Sequence, residues 1–372
     1  IRSCLVGSEM CIRDSFGIDV LLNADNAAAI YEQTTALLHH TEYSCLNIIK
    51  KLGVEIICTT DDPTDNLKHH KAFGVNNSLT LMPAFRPDKA IEIQHENFNA
   101  YLAKLATVVG HNIDSFSTLK KALDKRMDYF AAHGCTISDH GLEQIRYTET
   151  SDEMADAVMQ KKAEGKHLNV NDLEQYKTAV LLFLAKGYHK RGWVQQYHLG
   201  ALRNNSSRML SNLGPDMGCD SIGDFHQAQG LSRFLDSLDT NNELAKTILY
   251  NLNPAQNALF VTMAGNFNDG SVSGKIQYGA SWWFLDQLDG MRKQINSLSN
   301  MGVLSTFIGM LTDSRSFMSF PRHEYFRRLL CNIIGEDVEK GLLPSDLDAM
   351  GTIVSDICYH NAKSYFNFYS HE

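Results

Sequence analysis

Short β-branched runs alternate with helix-patterned segments along nearly the whole chain, and this alternation constrains the fold more than any other feature. Seven runs predict strands: "VEIICTT" (54–60), "LTLMPAF" (79–85), "CTIS" (135–138), "WVQQYHL" (193–199), "KTILYNL" (246–252), "KIQYGA" (275–280) and "TFIGML" (306–311). Segments such as "FNAYLAKLATVV" (98–109), "LEQYKTAVLLFLAKGYHKRG" (173–192) and "MRKQINSLSNMG" (291–302) predict the helices between them. Such alternation builds a mostly parallel α/β sheet, open and doubly wound or closed as a TIM-type (β/α)₈ barrel. Neither a G-x-G-x-x-G turn nor a Walker loop is present, which favours the barrel.

The polar residues point the same way. Nearly every predicted strand breaks at its C-terminal end into charged or amide residues: "TTDDP", "FRPDK", "SDH", "YHLGALRNN", "NLNP", "GASWW" and "LTDSRS". Barrel enzymes build their active sites on that face. A closed barrel needs eight strands, so the missing one is expected upstream of residue 16. Residues 1–15, "IRSCLVGSEMCIRDS", lack an amphipathic period and are expected to be adapter-like rather than native. The following "FGIDVLLNADNAAAIYEQ" is expected to be helical. Residues 16–372 are expected to form one barrel domain, incomplete at its N-terminus. The 110–180 region is read as helical insertion around one strand, with "ISDHGLEQI" and "TETSDEMADAVMQKKAEG" as surface helices.

A net charge of −9 with scattered basic residues gives no electrostatic footprint for nucleic acid, so a small-molecule substrate is expected. Eight cysteines without a C-x-x-C pair fit free thiols in a reducing, cytoplasmic setting. No apolar run approaches the ~20 residues of a membrane-spanning helix, and no signal peptide is evident.

Several residues could carry chemistry. Asp313 lies where the last predicted strand gives way to a loop, and could ligate a metal, accept a proton or merely cap a helix. Arg315, two residues on, shares its face if strand geometry persists. His198 ends a strand and precedes Arg203, Asn204 and Asn205, a setting that balances the functional reading against a hydrogen-bonded core histidine. Arg86 with Lys89, Asp61 with Asp62, and Asp139 with His140 form weaker pairs at other strand ends. Trp282 and Trp283 could stack on a sugar ring or pack a loop. Arg322, His323 and Glu324 open the last long helix, and His323 could reach the mouth. His39–His40 and His69–His70 are read as surface pairs. There is no His-x-His and no H-E-x-x-H, so no complete metal site is legible.

The runs "GWVQQYHLGALRNNSSRM", "LGPDMGCDSIGD", "KTILYNLNP", "GKIQYGASWWFLDQLDGM" and "GMLTDSRSFMSFPRHEYFRRLLCNIIG" resemble bacterial uronate (glucuronate) isomerases. So do "TTDDP", "FRPDKA" and "YFAAHGCTISDH"; together the resemblance covers roughly residues 16 to 368. It implies the amidohydrolase superfamily and a barrel of the metal-dependent hydrolase type. A divalent metal, typically Zn²⁺, would be held by His-x-His on the first strand and Asp on the eighth. The implied reaction interconverts D-glucuronate with D-fructuronate, and D-galacturonate with D-tagaturonate.

Asp313 matches the eighth-strand Asp, and Arg315 the Arg that handles substrate oxygens. The His-x-His segment has no counterpart here, so the resemblance implies an incomplete metal site and makes the seven predicted strands the second to eighth. Asp313 is then expected as metal ligand and proton acceptor, and Arg315 as stabiliser of substrate oxygens. Arg86, Arg203 and His323 are candidates for the uronate carboxylate, and His198 and Trp282 for further substrate contacts. A different metal-dependent hydrolase of the superfamily is one alternative; the second, expected of this exact chain, is a truncated, open barrel without metal or activity. A homo-oligomer is left open.

Overall fold

The computed structural model describes residues 11–74 and 79–368. Residues 1–10, most of the adapter-like segment, lie outside the described residues. The strands are β1 (Ile56–Asp61), β2 (Thr80–Phe85), β3 (Ile137–Leu142), β4 (Val194–Leu199), β5 (Ala201–Leu202), β6 (Ser221–Ile222), β7 (Thr247–Asn251) and β8 (Ile276–Tyr278). Six form one sheet in the order β1-β2-β3-β4-β7-β8, every neighbouring pair parallel. Helices fill the connections, as the α/β alternation requires. β5 and β6 form a separate antiparallel pair that the sequence reading missed, each being two residues long.

Period-two alternation sorts each strand between two cores. On β4, Tyr197 and Leu199 join the large core under the helices, while Val194 joins a smaller core with Ala84, Ile137, Ile248 and Tyr250. By that parity Arg86, Asp139, His198 and Tyr250, one from each of four successive strand ends, stand on the smaller core's side. His140 stands on the helix side. There the helix Val170–Lys190 starts in a capping box of Asn169 and Asp172 and buries Tyr176, Leu184 and Tyr188. Such a cap contributes about 1 kcal/mol, and each buried aromatic about 2–3 kcal/mol. Phe85, fully buried, packs edge-on to Phe130 with ring centroids 5.1 Å apart and tilts against Trp193 at 5.9 Å.

The helices at 98–109 and 291–302 form as Phe98–Val109 and Leu288–Met301, and the segment around 152–163 forms the helix Asp152–Ala163. Three expectations need correction. "ISDHGLEQI" is no surface helix: β3 continues through Leu142, and Ile137 to His140 are buried because Asp139 and His140 find charged or hydroxyl partners inside. The run 16–33 is not one helix: Phe16 ends a helical stretch over 11–16, and helix resumes only at Ala27, after a turn in which Asn23 and Asn26 hold the backbone.

Third, "TFIGML" forms no strand. Thr306 closes a 3₁₀ turn, and Gly309 takes φ +70°, where a Cβ would lie 2.2 Å from the Ile357 carbonyl oxygen. Phe307 to Met310 are buried without a ladder partner, and the Asn361 side chain donates to the carbonyls of Ser305 and Phe307 at 2.8 and 2.9 Å. Among the described residues no helix is long and apolar enough to cross a membrane.

Candidate active site

A run of polar contacts crosses the carboxyl ends of β2, β3 and β4. Arg86 follows β2 directly, and its guanidinium meets Asp88 at 3.0 Å and Asp139 at 3.2 Å. The other oxygen of Asp139 lies 2.8 Å from Nδ1 of His198. The His198 ring stacks flat on Tyr250, centroids 4.3 Å apart at 4°, and meets Trp282 edge-on at 4.8 Å. Trp282 Nε1–H donates to Asp313 Oδ2 at 3.0 Å. Contact by contact, Arg86, Asp139, His198, Trp282 and Asp313 are therefore connected.

Electrostatics hold the Asp139 and Asp88 carboxylates ionised. Burial alone would raise the Asp139 carboxyl, but the His198 ring, its hydrogen bond and Arg86 outweigh this and hold it down to about 2. Asp88 is also lowered: burial is opposed by His140, Arg86 and the Gly141 amide. Burial would lower Arg86, but Asp139, Asp88 and Asp313 keep it raised and so firmly cationic. Behind this layer the fully buried His140 bridges Asp88 at 2.9 Å and the Tyr188 hydroxyl at 3.1 Å. With Nδ1 protonated toward the carboxylate, Nε2 accepts from Tyr188.

Asp313 and Arg315 are both exposed. Asp313 has φ +45°, a left-handed conformation, so the period-two argument that set Arg315 on the same face does not hold. The Arg315 side chain has no hydrogen bond or ion pair among the described residues. Arg203 lies over the Trp283 ring at 5.0 Å, with Asp216 3.6 Å away.

His323 turns elsewhere: its Nδ1 lies 2.7 Å from Arg327, and burial together with that cation pushes it down to about 4, so it is neutral at pH 7. Among the described residues no hydrogen bond, ion pair or ring contact joins it to the His198 group. Lys89 pairs with Asp62 at 3.2 Å, and Asp61 lies 3.7 Å from His70. His70 is thus not a free surface residue; its Nε2 is 2.7 Å from the Thr59 hydroxyl on β1.

Sequence reasoning did not single out Asp88, Tyr250 or the role of Arg322. Asp88 sat in view in "FRPDK", and only its long-range contact to His140 shows what it does. Tyr250 carried a signal in its parity with Ile248 on the same strand.

A parallel α/β sheet with its ionised cluster at the strand carboxyl ends is the arrangement of a barrel-type enzyme. The family described as glucuronate isomerase matches residues 7–366. The uronate isomerase of Flavobacterium johnsoniae is 52% identical over 354 residues, which are 95% of this chain and 76% of that protein. That of Yersinia enterocolitica is 48% identical over 358 residues, again 95% and 76%. The crystal structure of uronate isomerase from Thermotoga maritima superposes with a TM-score of 0.90 at 32% identity, over 96% of this chain and 77% of that one.

The chain belongs to the glucuronate isomerase family, and its class of activity is isomerase. It spans about three quarters of the length of these relatives. The family match takes in part of the segment 1–15 that the sequence reading sets aside.

Proposed function

We propose that this chain isomerises hexuronates between aldose and ketose forms, D-glucuronate to D-fructuronate and D-galacturonate to D-tagaturonate. The connected group from Arg86 to Asp313 would be its site. The single observation that supports this placement is the run of contacts linking Asp139, His198, Trp282 and Asp313 across four separate segments.

The reaction moves hydrogen from C2 to C1 through an enediol, with no net gain or loss of protons. In this reading the Asp313 carboxylate takes the C2 proton and returns it to C1. The His198–Asp139 pair exchanges the proton between the two oxygens, Asp139 orienting the ring through Nδ1. Arg315, exposed and without a hydrogen bond or ion pair among the described residues, has its charge available to meet the uronate carboxylate or a developing enediolate oxygen. Arg86 already faces two carboxylates, which offsets its charge, so its role is to hold Asp139 in place. Arg203 on the Trp283 face would contact the sugar acid from the loop side, and the Trp282 indole beside His198 would pack a face of the ring.

A divalent metal such as Zn²⁺ would find donors here in Asp313 and in the His198 nitrogen that Asp139 does not hold. Among the described residues, however, no group of three His, Cys, Asp or Glu side chains comes together to hold an ion. These residues do not complete a metal site, and no step above is routed through one. The cysteines among the described residues are all free, which supports a reducing, cytoplasmic setting. Residues 16–372 are proposed as a single domain.

The test is an assay of the purified chain against D-glucuronate and D-galacturonate beside lactone and amide substrates. Ketose formation is expected; hydrolysis without isomerisation would place the chain with the metal-dependent hydrolases instead.

A further inference from the structure

Asp313 occupies a left-handed conformation that a non-glycine residue adopts at a cost, and such residues persist only where their surroundings over-determine them. Its own amide folds back onto the Leu311 carbonyl, making a three-residue turn. The backbone of that turn is braced from outside by the Arg322 side chain. Arg322, at the start of the helix Arg322–Glu339, sends Nη2 to the Thr312 carbonyl, to the Asp313 carbonyl at 3.2 Å and to Ser314 Oγ at 3.3 Å. Its Nε donates to the Ser319 carbonyl at 3.3 Å, and its Nη1 pairs with Asp286. Asp286 closes the 3₁₀ turn Trp283–Leu285, immediately after Trp282, whose indole holds the Asp313 carboxylate.

We propose that Arg322 is the positioning residue of the site. It ties the backbone on both sides of Asp313 to the turn that carries Trp282, and so sets where the Asp313 carboxylate points. The planar guanidinium suits this task because it presents five donors in a fixed fork; a lysine ammonium can keep the pair with Asp286 but cannot span the other acceptors. Arg322 itself is turned to backbone and to Asp286, so it acts through Asp313 and not on substrate. The inference rests on the reading that places Asp313 at the reacting carbon.

Two readouts test it on the full chain. The first is the Trp282 indole N–H resonance in ¹⁵N-labelled protein, which reports the hydrogen bond to Asp313 whether or not the chain turns over. Arg322→Lys should shift this resonance in the same direction as Asp313→Ala does, while the Trp193 resonance stays in place. The second is kinetic: Arg322→Lys should lower kcat about 10- to 100-fold with little change in KM, and should add nothing further in an Asp313→Asn background.

If Arg322→Lys does not fold, Asp286→Asn is read in the same way, since it removes the partner that aims Arg322. An unmoved Trp282 resonance in a folded variant overturns the positioning role, as does additivity of the two substitutions. A shifted resonance with full activity in Asp313→Asn leaves the positioning role standing and overturns the functional reading instead.

Discussion

His198 and Asp139 meet at 2.8 Å across two neighbouring strands: His198 lies opposite Gly141, two residues beyond Asp139 on the same face. Gly141 leaves room for the Arg86 guanidinium that also meets Asp139. A Cβ there would lie 2.1 Å from Arg86 Nη2 and 3.3 Å from Cζ.

Gly141→Ala should therefore push the end of Arg86 off Asp139 without touching backbone. The expected result is a fall in kcat/KM of roughly tenfold, equal to about 1.4 kcal/mol, with a urea midpoint close to the native one. Steady-state kinetics beside urea unfolding checks it.

The Asp139 carboxyl gives a pH dependence with a definite sign. Its folded value, about 2, lies below the ordinary carboxylate value near 3.9, so ionised Asp139 stabilises the fold above that value and the contribution is lost as pH falls toward 2. The stability gap between native chain and Asp139→Asn should be constant above about pH 5 and narrow between about pH 4 and pH 2. Urea unfolding across that range measures the gap.

Tyr188→Phe removes the hydroxyl that His140 accepts from, leaving a ring nitrogen unsatisfied in a fully buried position. The expected loss is about 1–3 kcal/mol, read from chemical denaturation.

Gly309→Ala should cost more, roughly 3 kcal/mol or above, because the left-handed backbone and the Ile357 carbonyl oxygen 2.2 Å away both oppose a side chain. The same unfolding measurement serves, with near-native m-value expected.

These residues also show how much the sequence carried. The strands 54–60, 79–85 and 193–199 were legible because period two and bounding polar loops coincide in them, and β1, β2 and β4 formed within two residues of those limits. The run 306–311 misled because its apolar residues are buried for a different reason: Gly309 breaks the extended backbone and Asn361 takes the carbonyls that a ladder would have used.

At the site, Asp313 and His198 stood out by position at the ends of apolar runs. Asp139 and His140 looked like ordinary loop residues until the long-range pairs with His198 and Asp88 were in place. His323 misled because charge at a helix start reads alike whether it faces the sheet or, as here, Arg327 on its own helix. Local spacing records the parity of a strand, but not which side chain 50 residues away completes a pair.

The central claim is that the Asp313 carboxylate, held by Trp282, moves the substrate proton. Its most direct test is the initial rate of D-glucuronate isomerisation by the native chain and by Asp313→Asn, which keeps the side chain's shape while removing its basicity. The account predicts that ketose formation falls by about 10³-fold or more while the variant still folds. Isomerisation by Asp313→Asn at the native rate would contradict it.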